Sequence, residues 1–142
     1  GLDGRKMSKS YGNFIALSDS PDEVSAKVMT MLTDPQRQRK SDPGRPEICN
    51  VHSYYEIFAP EEALDVAEKC RNASWGCTDC KKRIAEIMAE EIAPIRQKQA
   101  ELMADPAHVE DILKAGAAQA REVAGETMRE VREVLGLKAE RR

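Results

Sequence analysis

The chain has 142 residues, of which 41% are apolar and 33% charged, and its formal net charge is −3 at pH 7. This length suffices for one domain with a hydrophobic core. No run of about 18 apolar residues predicts a membrane-spanning helix, and no basic segment followed by an apolar one indicates a signal peptide. We therefore expect a cytoplasmic protein that does not bind membranes.

The net charge argues against a general nucleic-acid binder, but it hides two basic segments. Residues 36–45 hold four cations against one anion, and residues 69–83 hold five cations against one anion. Local basic patches attract phosphate backbones more directly than net charge does. Taken alone, however, such lysines and arginines are more often a solvated helix face.

The first 19 residues are predicted to be a loop with a short extended piece, and they contain Lys6-Met7-Ser8-Lys9-Ser10. Two cations and two hydroxyls on one short segment can hold the triphosphate of a nucleotide. The alternative is an exposed chain terminus without function. Phosphate-binding loops normally follow a nucleotide-binding core, and the chain opens on Gly1 without an initiator Met. We therefore expect a fragment of a larger enzyme.

Three helices are predicted in the next part of the chain. Ser20-Pro21-Asp22-Glu23 is typical of a helix start, because Ser caps, Pro fits the first turn and acids favour the N-terminal dipole. This helix should end at Thr33-Asp34-Pro35. A second helix should run from Pro46 to Phe58, and a third from Pro60 to about Arg71. The residues predicted to be buried in the first two helices are Val24, Val28, Met31, Leu32, Ile48, Val51, Tyr55 and Phe58.

Two longer helices follow a turn-rich segment at residues 72–79. The fourth has Ile84, Ile87, Met88, Ile92 and Ile95 at helical spacing, with Pro94 expected to kink or restart it. The fifth should begin at Asp105-Pro106, with an apolar face of Val109, Ile112, Leu113, Ala120, Val123, Val131 and Leu135. No segment predicts a strand-rich region. The sequence thus predicts an all-α helical bundle with an irregular N-terminal tail.

The cysteines of the chain are Cys49, Cys70, Cys77 and Cys80, spaced C-x20-C-x6-C-x2-C. A C-x-x-C pair can turn two thiolates toward one centre, and two further cysteines complete a four-ligand set. Alternatively, Cys49 and Cys70 are small buried residues and only the C-x-x-C pair is special. We favour a metal centre. Both zinc and a 4Fe–4S cluster use four thiolates, and the wide gaps favour the bulkier cluster.

The segment Gly4-Arg5-Lys6-Met7-Ser8-Lys9-Ser10-Tyr11-Gly12-Asn13 resembles the KMSKS loop of class I aminoacyl-tRNA synthetases. The continuation through Thr33-Asp34-Pro35 and residues 43–50 resembles the bacterial tryptophanyl-tRNA synthetases. The four cysteines resemble the subset of that family with a 4Fe–4S cluster in the anticodon-binding domain. This resemblance extends over nearly the whole chain.

The resemblance implies a tryptophan–tRNA ligase, which activates tryptophan with ATP and Mg²⁺ and transfers it to tRNA(Trp), acting as a homodimer. Residues 1–19 would be the KMSKS loop and the end of a truncated catalytic domain, and residues 20–142 the anticodon-binding domain. Lys9, and after it Lys6, would offset charge on the departing phosphates, with Met7, Ser8 and Ser10 completing the ATP-binding loop. The fragment alone should lack adenylation activity, because the nucleotide-binding sheet and tryptophan pocket are missing.

The helical part should then contact the anticodon through cations and a stacking ring. The candidates are Arg37, Arg39, Arg45, Arg71, Trp75, Lys81 and Lys82. Trp75 is the one tryptophan of the chain. A lone tryptophan is more often a packing residue than a platform on which a base stacks. A different interpretation of the same features is a non-catalytic, zinc-stapled helical module that binds RNA.

Overall fold

The computed structural model describes residues 1–137, and this part of the chain contains helices and turns but no β-strand. The all-α prediction is confirmed. No helix in these residues has the length and apolar character needed to cross a membrane. Within the described residues, five α-helices follow one another: α1 (Pro21–Met29), α2 (Asn50–Phe58), α3 (Pro60–Arg71), α4 (Cys77–Ala104) and α5 (Pro106–Val134). Residues 1–99 form one compact unit, and a second unit begins at Ala100.

Helix α1 begins where the sequence predicts but ends earlier. Ser20 and Glu23 form a reciprocal capping box, in which each side chain accepts a hydrogen bond from the other residue's backbone N–H. The helix stops at Met29, before the predicted Thr33-Asp34-Pro35 end, and the Leu32 N–H donates instead to the carbonyl oxygen of Leu2 (3.0 Å). Leu32 is therefore 57% exposed, and the prediction that it is buried is wrong.

The single helix predicted over residues 46–58 is broken at Cys49. A 3₁₀ turn covers Pro46–Ile48, Cys49 has extended dihedrals (φ −87°, ψ 114°), and α2 starts at Asn50. The break leaves Ile48 exposed, contrary to prediction. It also removes Cys49 from the helical repeat, so its side chain direction is not set by the apolar face of α2.

The hydrophobic core lies in the first unit and comes from the first four helices. Tyr55, Val24, Val28 and Ile84 are fully buried, and Val51, Met31, Met88 and Ile92 are nearly so. Helix α4 continues across Pro94 without restarting, which leaves its C-terminal part beyond the core, where Ile95 is half-exposed. Tyr54, Phe58, Trp75 and two of the cysteines pack around this core.

Helix α5 has the predicted start but not the predicted burial. The Asp105 side chain accepts a hydrogen bond from the His108 N–H (3.1 Å), as expected of an N-cap. None of its residues is buried within the described chain, and Ile112, Leu113 and Val123 are all more than half exposed. Periodicity identifies which face of a helix is apolar, but it does not supply the surface that would cover it.

Candidate functional site

The lysine–serine segment of residues 6–10 forms a compact turn on the surface. Residues Lys9–Tyr11 make one 3₁₀ turn, and Gly12 closes it in the left-handed region (φ 65°), with its N–H donating to the Lys9 carbonyl oxygen (3.1 Å). Glycine adopts this conformation without a steric penalty. The hydroxyls of Ser8 and Ser10 lie 2.8 Å apart and share a hydrogen bond.

Both lysines of this turn present their charge to solvent. Lys6 and Lys9 are exposed, and neither forms an ion pair with any residue in the described part of the chain. An unpaired ammonium does not have to break an existing salt bridge before it binds an anion. The turn therefore offers two cations and two hydroxyls to a phosphate-bearing ligand.

The turn is attached to the rest of the unit through Asn13, which sequence reasoning did not single out. This side chain is buried although it is polar (4% exposed), and it accepts a hydrogen bond from the Ser8 N–H (2.8 Å). Its Nδ2 donates to the Lys6 carbonyl oxygen (3.2 Å) and to Asp3 Oδ1 (2.7 Å). No pattern announces such a role, since asparagine is common in loops for local reasons.

All four cysteines line one pocket, although they come from different elements, and the metal centre predicted from their spacing stays a prediction. Cys49 precedes α2, Cys70 lies near the end of α3, and Cys77 and Cys80 lie in the first turn of α4. The other lining residues are Val51, Val66, Trp75, Thr33 and Arg37. None of the cysteines forms a disulfide. The pocket is thus a mainly apolar site with four sulfur donors.

Two helix N-termini adjoin this pocket, and each of its four cysteines is partly buried. Cys49 stands at the N-cap of α2, and Cys77 is the first residue of α4, so both lie at positive ends of helix dipoles. Burial raises the pKa of Cys80 to about 12 and also raises the pKa of Cys70. These sulfurs therefore need a nearby positive charge or a metal to be thiolates near neutral pH.

Arg37 provides such a charge at the wall of the pocket. Its Nη1 donates to Cys70 Sγ (3.5 Å), and its Nη2 donates to the carbonyl oxygens of Trp75 (2.6 Å) and Lys40 (3.1 Å). Its Nε is buried and has no hydrogen-bond partner among the described residues. A buried donor without a partner is rare, and here it belongs to a side chain that lines the four-cysteine pocket.

The loop that carries Arg37 is fixed at both ends. Asp34 is buried and accepts hydrogen bonds from Arg45 Nε (2.9 Å) and Nη2 (2.6 Å) and from the Gln36 N–H (2.9 Å). The Arg45 hydrogen bond holds the pKa of this carboxyl well below its usual range. Further along, the Gly44 N–H donates to the Cys70 carbonyl oxygen (3.0 Å), and a Cβ at Gly44 would lie 2.5 Å from Cys70 Sγ. Only glycine fits beside this sulfur.

The spacing of the sulfurs bears on which metal the pocket could hold. Within residues 1–137, no three His, Cys, Asp or Glu side chains approach one another closely enough to hold a single metal ion. A zinc ion with Zn–S bonds of about 2.3 Å would bring its four sulfurs to within about 3.8 Å of one another. A 4Fe–4S cluster binds each thiolate to a different iron and so accepts a wider set of sulfurs around one pocket.

Most of the proposed RNA-contacting residues are already engaged within the protein. Arg37 and Arg45 are held as described, Arg71 pairs with Glu47, and Lys81 Nζ donates to the Met29 carbonyl oxygen (2.9 Å). Trp75 packs on the core, and Lys69 Nζ lies 5.2 Å from the centre of its ring. The exposed side chains of Arg39 and Lys82 form no ion pair with other described residues.

Comparison with known proteins points to one family. A family model described as "tRNA synthetases class I (W and Y)" matches residues 1–92. The chain is 45% identical to the tryptophan–tRNA ligase of Aquifex aeolicus over 139 residues, covering 96% of this chain and 35% of that protein. It is 47% identical to the tryptophan–tRNA ligase of Thermotoga maritima, again over 96% of this chain and 42% of the relative. The chain therefore spans less than half the length of these curated relatives.

Two solved structures with a similar fold belong to proteins of the same name. The tryptophanyl-tRNA synthetase of Campylobacter jejuni, solved in complex with ADP and tryptophan, superposes with a TM-score of 0.86 at 30% identity, over 96% of this chain and 43% of that one. The tryptophanyl-tRNA synthetase of the archaeon Aeropyrum pernix superposes with a TM-score of 0.61 at 31% identity, over 73% of this chain and 31% of that one.

Proposed function

The chain belongs to the class I tRNA synthetases for tryptophan and tyrosine, and we propose that it supplies the KMSKS loop and the anticodon-binding domain of a tryptophan–tRNA ligase. The names of the relatives favour tryptophan over tyrosine. The observation that carries the proposal is the turn of residues 6–10, in which Lys6 and Lys9 are both exposed and unpaired. A non-catalytic zinc-stapled module is not favoured, because it leaves this turn without a role.

In the proposed reaction a carboxylate oxygen of tryptophan bonds to the α-phosphorus of ATP as the bond to pyrophosphate breaks. Negative charge grows on the departing phosphates. Lys9, with Lys6, would place positive charge beside them, and the hydroxyls of Ser8 and Ser10 would donate hydrogen bonds. Stabilisation of charge that develops only in the transition state raises kcat more than it changes substrate binding. The Mg²⁺ that accompanies ATP would add to the same charge compensation.

The test is Lys9→Ala in the whole ligase that contains this segment, measured by tryptophan-dependent ATP–pyrophosphate exchange. We expect kcat to fall by about 10²–10³, the usual cost of removing one group that stabilises transition-state charge. Lys114→Ala on α5 removes another exposed lysine, one that pairs with Glu110 (3.4 Å), and should leave the exchange rate unchanged. Equal rates for both variants would refute the role of the loop. Measurable exchange by the 142-residue chain alone would refute our prediction that it is inactive.

The second part of the proposal is a 4Fe–4S cluster held by Cys49, Cys70, Cys77 and Cys80, with zinc as the alternative. Four sulfurs around one pocket, two helix N-termini and the unpartnered Nε of Arg37 support an anionic group there. The preference for the cluster over zinc rests on the wide C-x20-C and C-x6-C gaps between the cysteines. The cysteine thiolates would bind the irons, and the cluster would link α2, α3 and the start of α4.

Metal and sulfide analysis of protein purified without oxygen tests this assignment. We expect about four irons and four acid-labile sulfides per chain, which is the composition of the cluster. One zinc per chain and no sulfide would refute the cluster, and four free thiols without metal would refute any metal centre. Cys77→Ser should lose the iron. Thr78→Ala changes the neighbouring exposed residue and should keep it.

The third part is an RNA-binding surface that uses Arg39 and Lys82. Both are exposed cations without ion pairs among the described residues, whereas Arg71 would first have to leave Glu47. Removing one cation that binds a phosphate reduces the salt dependence of RNA binding by roughly one counterion. We expect Arg39→Ala and Lys82→Ala each to weaken tRNA(Trp) binding and to flatten its salt dependence. The control is Arg71→Ala, and a larger effect there would overturn this choice of residues.

A further inference from the structure

Asn13 forms hydrogen bonds that no local turn requires. A typical loop asparagine bonds to its own backbone a residue or two away, but this side chain reaches back five residues to Ser8, seven to Lys6 and ten to Asp3. It is 4% exposed. Its amide oxygen accepts one hydrogen bond and its NH₂ group donates two, so both donors and one of the two acceptor positions are used.

These hydrogen bonds fix the backbone on both sides of Met7. The Lys6 carbonyl oxygen and the Ser8 N–H are both bound to the same amide, so the segment that joins them cannot rotate independently. Lys6 and Lys9 extend from this segment on either side with exposed side chains. The amide therefore orders the backbone of the loop while leaving its charges available.

Asn13 is in turn held in place by the first residues of the unit. The Leu2 N–H donates to the Asn13 carbonyl oxygen (2.9 Å), and Asp3 Oδ1 accepts from its side chain (2.7 Å). Asp3 also accepts from Arg5 Nε (2.7 Å). Gly12 turns the chain so that Asn13 comes back beneath the turn instead of continuing away from it. The loop and the first residues thus share one buried polar group.

We propose that Asn13 is a positioning residue that holds the Lys6–Ser8 backbone so that Lys6 and Lys9 engage the phosphates of one nucleotide together; this rests on the proposed function of the loop. The role requires a carboxamide. An aspartate would keep the acceptor for Ser8 but lose both donors, and it would place its charge against Asp3 and the Lys6 carbonyl oxygen. A shorter side chain would reach none of the three partners, which are the Ser8 N–H, the Lys6 carbonyl oxygen and Asp3 Oδ1.

The structural half of the proposal can be tested on this chain by amide hydrogen exchange. In Asn13→Ala and in Asn13→Asp we expect the Lys6–Asn13 peptide, and the Ser8 amide in the alanine variant above all, to exchange at least ten times faster. Amides of α1 and α4 should keep their protection, which separates loss of the loop from loss of the fold. Tyr11→Phe alters the same turn without touching Asn13 and should leave exchange unchanged. Unchanged exchange at Ser8 in Asn13→Ala would overturn the proposal.

The effect of Asn13 on catalysis is measured in the whole ligase by ATP–pyrophosphate exchange. We expect Asn13→Ala to lower kcat by about 10- to 100-fold, the cost of a small misplacement of catalytic groups, while KM for tryptophan stays within about twofold. Normal kcat in Asn13→Ala beside a large decrease in Lys9→Ala would refute positioning and leave the proposed function standing. Normal kcat in Lys9→Ala would refute the proposed function itself, whatever Ser8 exchange shows.

Discussion

The turn of residues 6–10 and the four-cysteine pocket differ in which of their atoms are exposed to solvent. In the turn the functional side chains are exposed, and only the backbone is held, through the buried amide of Asn13. In the pocket each cysteine is only partly exposed, and Arg37 and Gly44 lie against Cys70. The turn thus presents exposed cations to solvent, whereas the pocket surrounds its sulfurs with apolar side chains and one guanidinium.

The two regions also differ in what a mutation in each should cost. The pocket adjoins the core through Cys49, Cys80 and Trp75, so changes there should appear as reduced stability. The turn contributes no residue to that core, so changes there should leave unfolding nearly unaffected and appear in local exchange and catalysis. A variant of the turn that unfolds as easily as a variant of the pocket would break this division.

The largest effect on stability is expected for Arg37→Leu. The variant removes a guanidinium that donates to the part-buried Trp75 carbonyl oxygen and to the Lys40 carbonyl oxygen, and we expect the free energy of unfolding to fall by about 2–3 kcal/mol. Urea unfolding monitored by circular dichroism measures it. Arg39→Leu, an exposed change two residues away, should stay within about 0.5 kcal/mol. Equal costs for the two variants would mean that Arg37 does not hold the wall of the pocket.

A smaller effect is expected for Tyr55→Phe. The Tyr55 hydroxyl is fully buried and donates to the Cys80 carbonyl oxygen (2.7 Å), which ties the first turn of α4 to α2. Its removal leaves that carbonyl without this donor and should cost about 1–2 kcal/mol in the same unfolding measurement. Tyr54→Phe removes a half-buried hydroxyl from the neighbouring position. A cost in Tyr54→Phe as large as in Tyr55→Phe would show that the hydrogen bond to Cys80 is not the cause.

Acid should weaken the loop that carries Arg37. Since the pKa of Asp34 is lowered in the folded state by its Arg45 hydrogen bond, ionised Asp34 stabilises the fold fully above its ordinary pKa of 3.8. That contribution is lost as pH falls below about 4 toward the lowered pKa. Asp34→Asn should therefore be less stable at pH 7 and show a shallower further decrease on acidification. Parallel stability curves for both proteins between pH 7 and 3 would contradict this.

The smallest effect concerns the turn itself. The pKa of Asp3 is lowered from 3.8 to about 2, chiefly by the hydrogen bond from Asn13. In Asn13→Ala the carboxyl loses that donor, so its pKa should rise toward 3.8. Carbon-13 chemical shifts followed through an acid titration measure this directly. A midpoint that stays near 2 would show that Arg5 alone keeps the carboxylate ionised.

Much of the architecture was predictable because its causes are local. Ser20 with Glu23, and Asp105 before Pro106, mark helix starts that depend only on neighbouring residues. The buried faces of α1, α2 and α4 follow from spacing. The failures at Leu32, Ile48 and Ile95 have one origin, since whether an apolar residue is covered depends on distant parts of the chain.

The sequence by itself determined most of the helices and the family, because these depend on residue type and short-range spacing, and it supplied two sets of candidate functional residues. Only the tertiary structure decided that Cys49 leaves the helical path to reach the pocket, and that Arg37 is a wall of that pocket and not a free cation. It likewise decided that Asn13 holds the loop. Each of these depends on hydrogen bonds or close approach between residues that are distant in the sequence or outside any repeat.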